Sequence, residues 1–146
     1  MRRLLLLIPL IVFACGTKPT TIEPIEKSFE APGSKNELYV RANSWFSEAF
    51  NSPRMVIDFR DKEEGIITGK YQMAPKWAYN GFAIYQNGGY NANIQIQLKD
   101  SATKITVKPE QFVATGKFNK KKAILNIRKL INSYIDYMSE EQLTAF

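Results

Sequence analysis

The sequence contains no histidine and only one cysteine, Cys15. Without histidine the Ser-His-Asp and Cys-His catalytic arrangements are excluded, and so are the usual zinc and copper sites. One cysteine cannot form a disulfide within the chain, so folding must rely on a hydrophobic core. A phosphate-binding loop is also missing, because Asn87-Gly88-Gly89 lacks the following lysine and helix. We therefore expect a non-enzymatic protein that needs no cofactor and no metal.

The chain also lacks a long hydrophobic run. The apolar segment from Leu4 to Phe13 is shorter than the roughly 17–25 residues that cross a bilayer. It follows the basic residues Arg2 and Arg3, so residues 1–14 are typical of a cleavable signal peptide.

The end of this segment, Val12-Phe13-Ala14-Cys15-Gly16, resembles the lipobox of bacterial lipoproteins. Phe13 is bulkier than the small residue usual at its position. Lipidation of Cys15 explains a lone cysteine in an exported chain better than a buried thiol does. The alternative is an ordinary secretory signal with an incidental cysteine.

A lipoprotein would carry its acyl chains, such as palmitate, on Cys15. Cleavage would remove Arg2 and Arg3, so the mature chain would keep 18 basic and 14 acidic residues, a net charge of +4. Residues 15–24 then predict a lipidated tether, because they are rich in Thr and Pro and show no periodicity. Extended, this tether would reach roughly 30 Å. Gly16 rather than Asp follows the cysteine, which favours the outer membrane, with the domain of residues 25–146 facing the periplasm.

The most regular part of the chain predicts a helix after Pro32-Gly33. Ser34 and Glu37 have the spacing of a capping box, in which each side chain satisfies a backbone N–H of the other residue. Asn51-Ser52-Pro53 would end the helix. Its apolar face would contain Leu38, Ala42, Trp45, Phe46 and Ala49.

The remaining pattern predicts strands and a second helix. Strands are expected at 25–31, 55–60, 66–73, 92–100 and 104–108, with an irregular strand pair over 74–91 that turns at Asn80-Gly81 and at 87–89. Asn119 would cap a helix that runs to about Met138. The apolar face of that helix would be formed by Ala123, Ile127, Leu130, Ile131, Tyr134 and Met138.

The stretch from Phe29 to Lys70 resembles an uncharacterised bacterial family, a domain of unknown function with a TBP-like fold. The matching residues are Glu37-Leu38-Tyr39, Arg41-Ala42, Trp45-Phe46, Glu48, Phe50, Val56-Ile57-Asp58, Asp61-Lys62-Glu63, Gly65, Ile67 and Gly69-Lys70. The resemblance implies a fold but no activity and no catalytic residues. With the patterns above it predicts an α+β domain, in which an antiparallel, curved sheet of about five or six strands is packed by two helices.

Three groups of side chains are candidates for a site. The first is the acidic group Asp58, Asp61, Glu63 and Glu64, which could perform acid–base hydrolysis or bind calcium. The simpler interpretation is a solvated hairpin turn.

The second group is aromatic and the third is basic. The aromatic group contains Trp77, Tyr79, Phe82, Tyr85 and Tyr90. These rings could stack on a glycan or peptide, or they could instead form a second small core. The basic group contains Lys117, Lys120, Lys121 and Lys122. These lysines could contact anionic lipid headgroups, or they could simply form a solvated helix start.

The sequence thus predicts a membrane-anchored envelope lipoprotein that acts as a binding or structural module. Its partners would be the membrane, through the N-terminal lipid, and an envelope protein or a glycan. Nucleic acid is excluded because export removes the chain from the chromosome, and a fold does not determine a function. The alternative is an envelope hydrolase that acts on glycan or peptidoglycan through the hairpin carboxylates.

Overall fold

A computed structural model of the chain describes residues 18–50 and 56–139. The predicted signal peptide, Cys15 and the helix stop at 51–53 lie outside the described residues. The helices and strands are β1 (Ile25–Glu30), α1 (Lys35–Ala49), β2 (Ile57–Asp61), β3 (Ile66–Tyr79), β4 (Ile84–Lys99), β5 (Ala102–Pro109) and α2 (Lys120–Ser139).

The described strands form one antiparallel sheet in the order β1-β5-β4-β3-β2. Both helices cover the same face, and side chains along β4 alternate between that core and solvent. Ala92, Ile94, Ile96 and Leu98 point into the core. The predicted α+β architecture with two helices is confirmed, with five strands.

Helix α1 begins as its sequence predicts. The backbone N–H of Ser34 donates to the Glu37 carboxylate at 2.7 Å, and Glu37 N–H donates to Ser34 Oγ at 3.4 Å. The backbone N–H of Ser34, and after it the Ser34 hydroxyl at 3.0 Å, donate to the Glu37 carboxylate and lower its pKa below the ordinary value. Ala49 was expected in the core but is exposed, and the ring of Phe50 packs instead on Trp45 and Phe46.

Trp45 lies where α1 meets α2 and is almost completely buried. Its indole makes an edge contact with the Tyr134 ring, 5.0 Å between centroids, and its Nε1 donates to Ser133 Oγ at 3.2 Å. Tyr134 in turn shares a 2.6 Å hydrogen bond with Thr103 of β5, and its burial raises the pKa of Tyr134. All six apolar residues predicted for the face of α2 are buried.

The predicted irregular strand pair is the continuation of β3 and β4. Asn80-Gly81 does form the turn, but Asn87-Gly88-Gly89 lies inside β4. Pro75 pairs with Gly89 and Trp77 pairs with Gln86, so the single residue Lys76 of β3 lies opposite two residues of β4, Asn87 and Gly88. Gly88 adopts a φ of 73° there. The second expected turn is therefore a β-bulge, in which glycine supplies the positive φ.

Part of the segment predicted as a tether, residues 15–24, contacts the domain. Thr20 pairs with Phe112 through two backbone hydrogen bonds of 2.6 and 3.2 Å, and Ile22 is only 7% exposed. Thr20 and Ile22 thus pack on the domain, although the sequence predicts that the domain starts at Ile25. The five residues 15–19 span at most about 18 Å.

The end of the sheet that carries the β2–β3 turn is fixed by backbone contacts. Gly65 has a φ of 68°, and a Cβ there would lie 2.6 Å from the carbonyl oxygen of Leu98. Lys35 N–H, in the first turn of α1, donates to the Asp100 carboxylate at 2.7 Å. This end is opposite the end at which β1 starts and β5 finishes.

We expect Trp45→Ala to lower the free energy of unfolding by about 3–5 kcal/mol, because a large buried side chain leaves a cavity. Ser133→Ala removes only the hydrogen bond to the indole and should cost about 0.5–1.5 kcal/mol. Urea unfolding of both variants measures the difference. An unchanged midpoint for Trp45→Ala would contradict the central position of this side chain.

Candidate functional site

Residues 74–91 form a two-stranded ribbon that leaves the sheet, and we call it the projecting hairpin. The pairing of β4 with β5 ends at Ala92 and Pro109, whereas β3 and β4 stay paired as far as Tyr79 and Ile84. At about 3.3 Å per residue, the hairpin extends roughly 25 Å past the sheet. No third strand pairs with it within the described residues.

The aromatic side chains predicted as a binding surface fall on different parts of this hairpin. Phe82 at the tip is 97% exposed and Trp77 is 58% exposed. The register places Trp77, Tyr79 and Ile84 on one face, since paired residues share a face, while Tyr85 lies on the other. Four of the five predicted aromatic side chains are exposed, as is Ile84, so these four do not form the second small core that the sequence left open.

The tip of the hairpin is held by its own hydrogen bonds. The Asn80 side-chain oxygen accepts from the backbone N–H groups of Phe82 and Ala83 at 3.1 and 3.0 Å. The Tyr79 hydroxyl donates to the Gly81 carbonyl oxygen at 2.7 Å. Asparagine is favoured in such turns because its side chain bonds the backbone two residues later. The exposure of Phe82 is therefore fixed by the local turn.

Tyr90 differs from the other predicted aromatic residues. It is only 7% exposed, and its ring stacks on Phe118 with centroids 4.2 Å apart. Phe112 adds an edge contact at 5.5 Å, and Lys76 Nζ lies 4.8 Å from the ring centroid. Tyr90 is thus part of the core at the base of the hairpin, because residues 112–118 cross over it.

An open groove lies beside this base, with a volume of about 760 Å³. Trp77 and Lys76 line it from β3, and Lys117 lines it from the segment before α2. Tyr90 also lines it, so the groove brings two members of the predicted aromatic group next to one member of the predicted basic group. Sequence reasoning did not include Lys76 or Ile84, although Lys76 is the only charged residue in 74–91.

The predicted basic patch surrounds the start of α2. Asn119 caps the helix by accepting from Lys122 N–H at 3.1 Å, and Lys122 Nζ donates to the Lys117 carbonyl oxygen at 2.7 Å. Lys120 and Lys121 are exposed on the same turn. In the part of the chain that the structure describes, the one salt bridge joins Lys104 to Glu26. No carboxylate therefore pairs with these lysines there.

Three members of the acidic group, Asp61, Glu63 and Glu64, lie at the opposite end of the sheet, whereas Asp58 lies within β2. The Asp61 carboxylate accepts from the Glu64 backbone N–H at 2.9 Å, which fixes the turn before β3. Asp58, Glu63 and Glu64 are exposed. Among residues 18–50 and 56–139, no three His, Cys, Asp or Glu side chains converge as a metal site would require. The structure thus gives these carboxylates a turn-forming and solvated position.

Residues 26–112 match the family described as a domain of unknown function (DUF4468) with a TBP-like fold. The chain belongs to this family. The matched residues include α1, the projecting hairpin and nearly the whole sheet, and they end before Lys117. The resemblance seen in residues 29–70 is thereby confirmed.

Solved structures show the same fold at low sequence identity. A DUF4468 family protein from Bacteroides ovatus ATCC 8483 is 16% identical, with a TM-score of 0.51, over 82% of this chain and 88% of its own. A TBP-like protein from Parabacteroides distasonis ATCC 8503 is 12% identical, with a TM-score of 0.52, over 79% of this chain and 91% of its own. No curated protein matches the chain. These comparisons establish the fold and assign no activity.

The different burial of two aromatic residues gives a direct test of this geometry. Tyr90→Ala should lower the free energy of unfolding by about 3–5 kcal/mol, because it removes a buried ring from the hairpin base. Trp77→Ala should change it by less than about 0.5 kcal/mol, as for other exposed positions. Chemical denaturation measures both values. Equal destabilisation by the two substitutions would show that Trp77 is also a core residue.

Proposed function

We propose that this protein is a lipid-anchored lipoprotein of the cell envelope, and that its domain is a non-enzymatic binding module. The observation that carries the proposal is the projecting hairpin, a paired ribbon with a hydrogen-bonded turn that exposes Trp77, Tyr79, Phe82, Ile84 and Tyr85. Large apolar side chains clustered on a surface are typical of interaction sites. Trp and Tyr are also enriched among the residues that contribute most to binding.

The anchor is supported by the sequence alone. Arg2 and Arg3, the apolar segment and the lipobox-like Val12–Cys15 together favour acylation of Cys15. Two membrane signals suffice for stable attachment, and a diacylated cysteine carries two chains. Gly16 favours the outer membrane. Within residues 18–50 and 56–139, no helix is both long and apolar enough to cross a membrane.

The binding role is favoured over hydrolysis by the surroundings of the acidic group. Glycoside hydrolysis needs two carboxyl groups that flank a substrate, one of them usually shielded so that it stays protonated. Here Glu63 and Glu64 extend into solvent, and the Asp61 carboxylate already accepts a hydrogen bond from the turn backbone. A partner on the hairpin, such as an envelope protein or a glycan, requires no such pair.

The two functions predict different results for the acidic variants. We expect Asp61→Asn and Glu64→Gln to leave stability within about 0.5 kcal/mol, because both side chains keep their shape and Asn retains an oxygen acceptor. Release of sugar from peptidoglycan should be absent in wild type and variants alike. A hydrolytic activity in wild type that these substitutions abolish would establish the enzyme instead.

The anchor has its own test in living cells. Cells that express the wild-type chain and are fed an alkyne fatty acid should incorporate the label into this protein, and Cys15→Ser should abolish it. Membrane fractionation should then place the wild type, but not the variant, with the outer membrane. A wild-type protein that stays unlabelled would refute the lipoprotein assignment without affecting the binding surface.

A further inference from the structure

The position at which the chain leaves the domain places the predicted anchor near the projecting hairpin. Thr20 is held on Phe112, and the Phe112 ring packs against Tyr90 and Phe118 at the hairpin base. A fully extended chain from Cys15 to Thr20 would span at most about 18 Å, whereas the hairpin extends roughly 25 Å past the sheet. If the hairpin side of the domain faces the bilayer that holds Cys15, the tip is long enough to reach it.

The charges of the domain favour this orientation. Residues 108–122 contain five lysines and one glutamate, and residues 74–91 contain Lys76 and no acidic residue. The opposite end carries the four carboxylates of Asp61, Glu63, Glu64 and Asp100, and the three lysines Lys35, Lys62 and Lys99 largely balance their charge. An anionic surface would therefore attract the lysine-rich end more strongly than the opposite end.

We propose that the projecting hairpin and the lysines at the start of α2 dock on anionic lipid headgroups of the membrane that holds Cys15. The exposed ring of Phe82 would enter the boundary between headgroups and acyl chains, with Trp77 and Tyr79 at the headgroup level, where aromatic rings are enriched. Lys117, Lys120 and Lys121 would contact the headgroups. This inference rests on the proposed lipoprotein function and identifies the partner of its binding surface as the bilayer itself.

Trp77 provides a native probe of this docking. The chain contains two tryptophans, and the other, Trp45, is buried in the core. The purified protein is reconstituted into phosphatidylcholine vesicles with or without phosphatidylglycerol, and with brominated acyl chains as a quencher. The signal of Trp77 is the difference between wild type and Trp77→Phe. We expect a blue shift and quenching in the anionic vesicles and a much smaller effect in the neutral ones.

Matched variants separate docking from general changes in charge and hydrophobicity. Lys120→Gln/Lys121→Gln should weaken docking by about twenty-five-fold, because each lysine near an anionic surface contributes about fivefold. Lys62→Gln/Lys99→Gln removes the same charge away from the hairpin and should have little effect. Phe82→Ser should abolish the quenching, whereas Phe59→Ser removes an exposed ring elsewhere on the sheet and should not.

The outcomes distinguish this inference from the lipoprotein assignment. The intact mass of the purified protein shows whether Cys15 is acylated, and protein that lacks acylation is added to the same vesicles from solution. Quenching in anionic vesicles supports docking in either case. An unshifted, unquenched Trp77 overturns the inference. So does a blue shift without lipid quenching, which would indicate a second copy of the chain or another protein on the hairpin.

Discussion

The contact of Trp45 with Tyr134 determines how the layers of this fold are arranged. The indole joins α1 to α2, and the hydroxyl of the same tyrosine joins α2 to β5 through Thr103. With α2 held in this way, the segment before it crosses the hairpin base, where Phe118 stacks on Tyr90. The groove and the lysines beside it are thus positioned by a contact made deep in the core.

Local patterns predicted both helices because their signals lie within a few residues of each other. The capping box needs only Ser34 and Glu37, and the buried face of α2 follows directly from the helical period. The pairing of Thr20 with Phe112 joins residues 92 positions apart, so no local pattern could reveal that the predicted tether belongs partly to the fold. The glycines at 88 and 89 fit a turn as well as a bulge, because both can use a residue with positive φ, which here is Gly88.

In the candidate site, too, the residue types follow from the local sequence, whereas their exposure depends on distant parts of the chain. The sequence identified its aromatic and basic residues, but it could not show which of them are exposed. Tyr90 and Tyr85 are both tyrosines on β4, and only the segment at 112–118 decides that Tyr90 is buried. Likewise, Trp77 and Lys117 line one groove although 40 positions separate them. Ile84 is exposed because, among residues 18–50 and 56–139, no layer covers the ribbon around it, which is a property of the tertiary structure.

The β-bulge in the projecting hairpin also affects how the hairpin can associate. A free two-stranded ribbon offers unpaired backbone groups to which another strand can add, a common route to aggregation. At this bulge Pro75 has no N–H to donate, and the carbonyl oxygen of Gly88 already accepts from the side-chain amides of Gln72 and Gln86 at 3.2 and 3.4 Å. The backbone here is a poor template for strand addition, so a long, exposed ribbon can remain soluble and associate through its side chains.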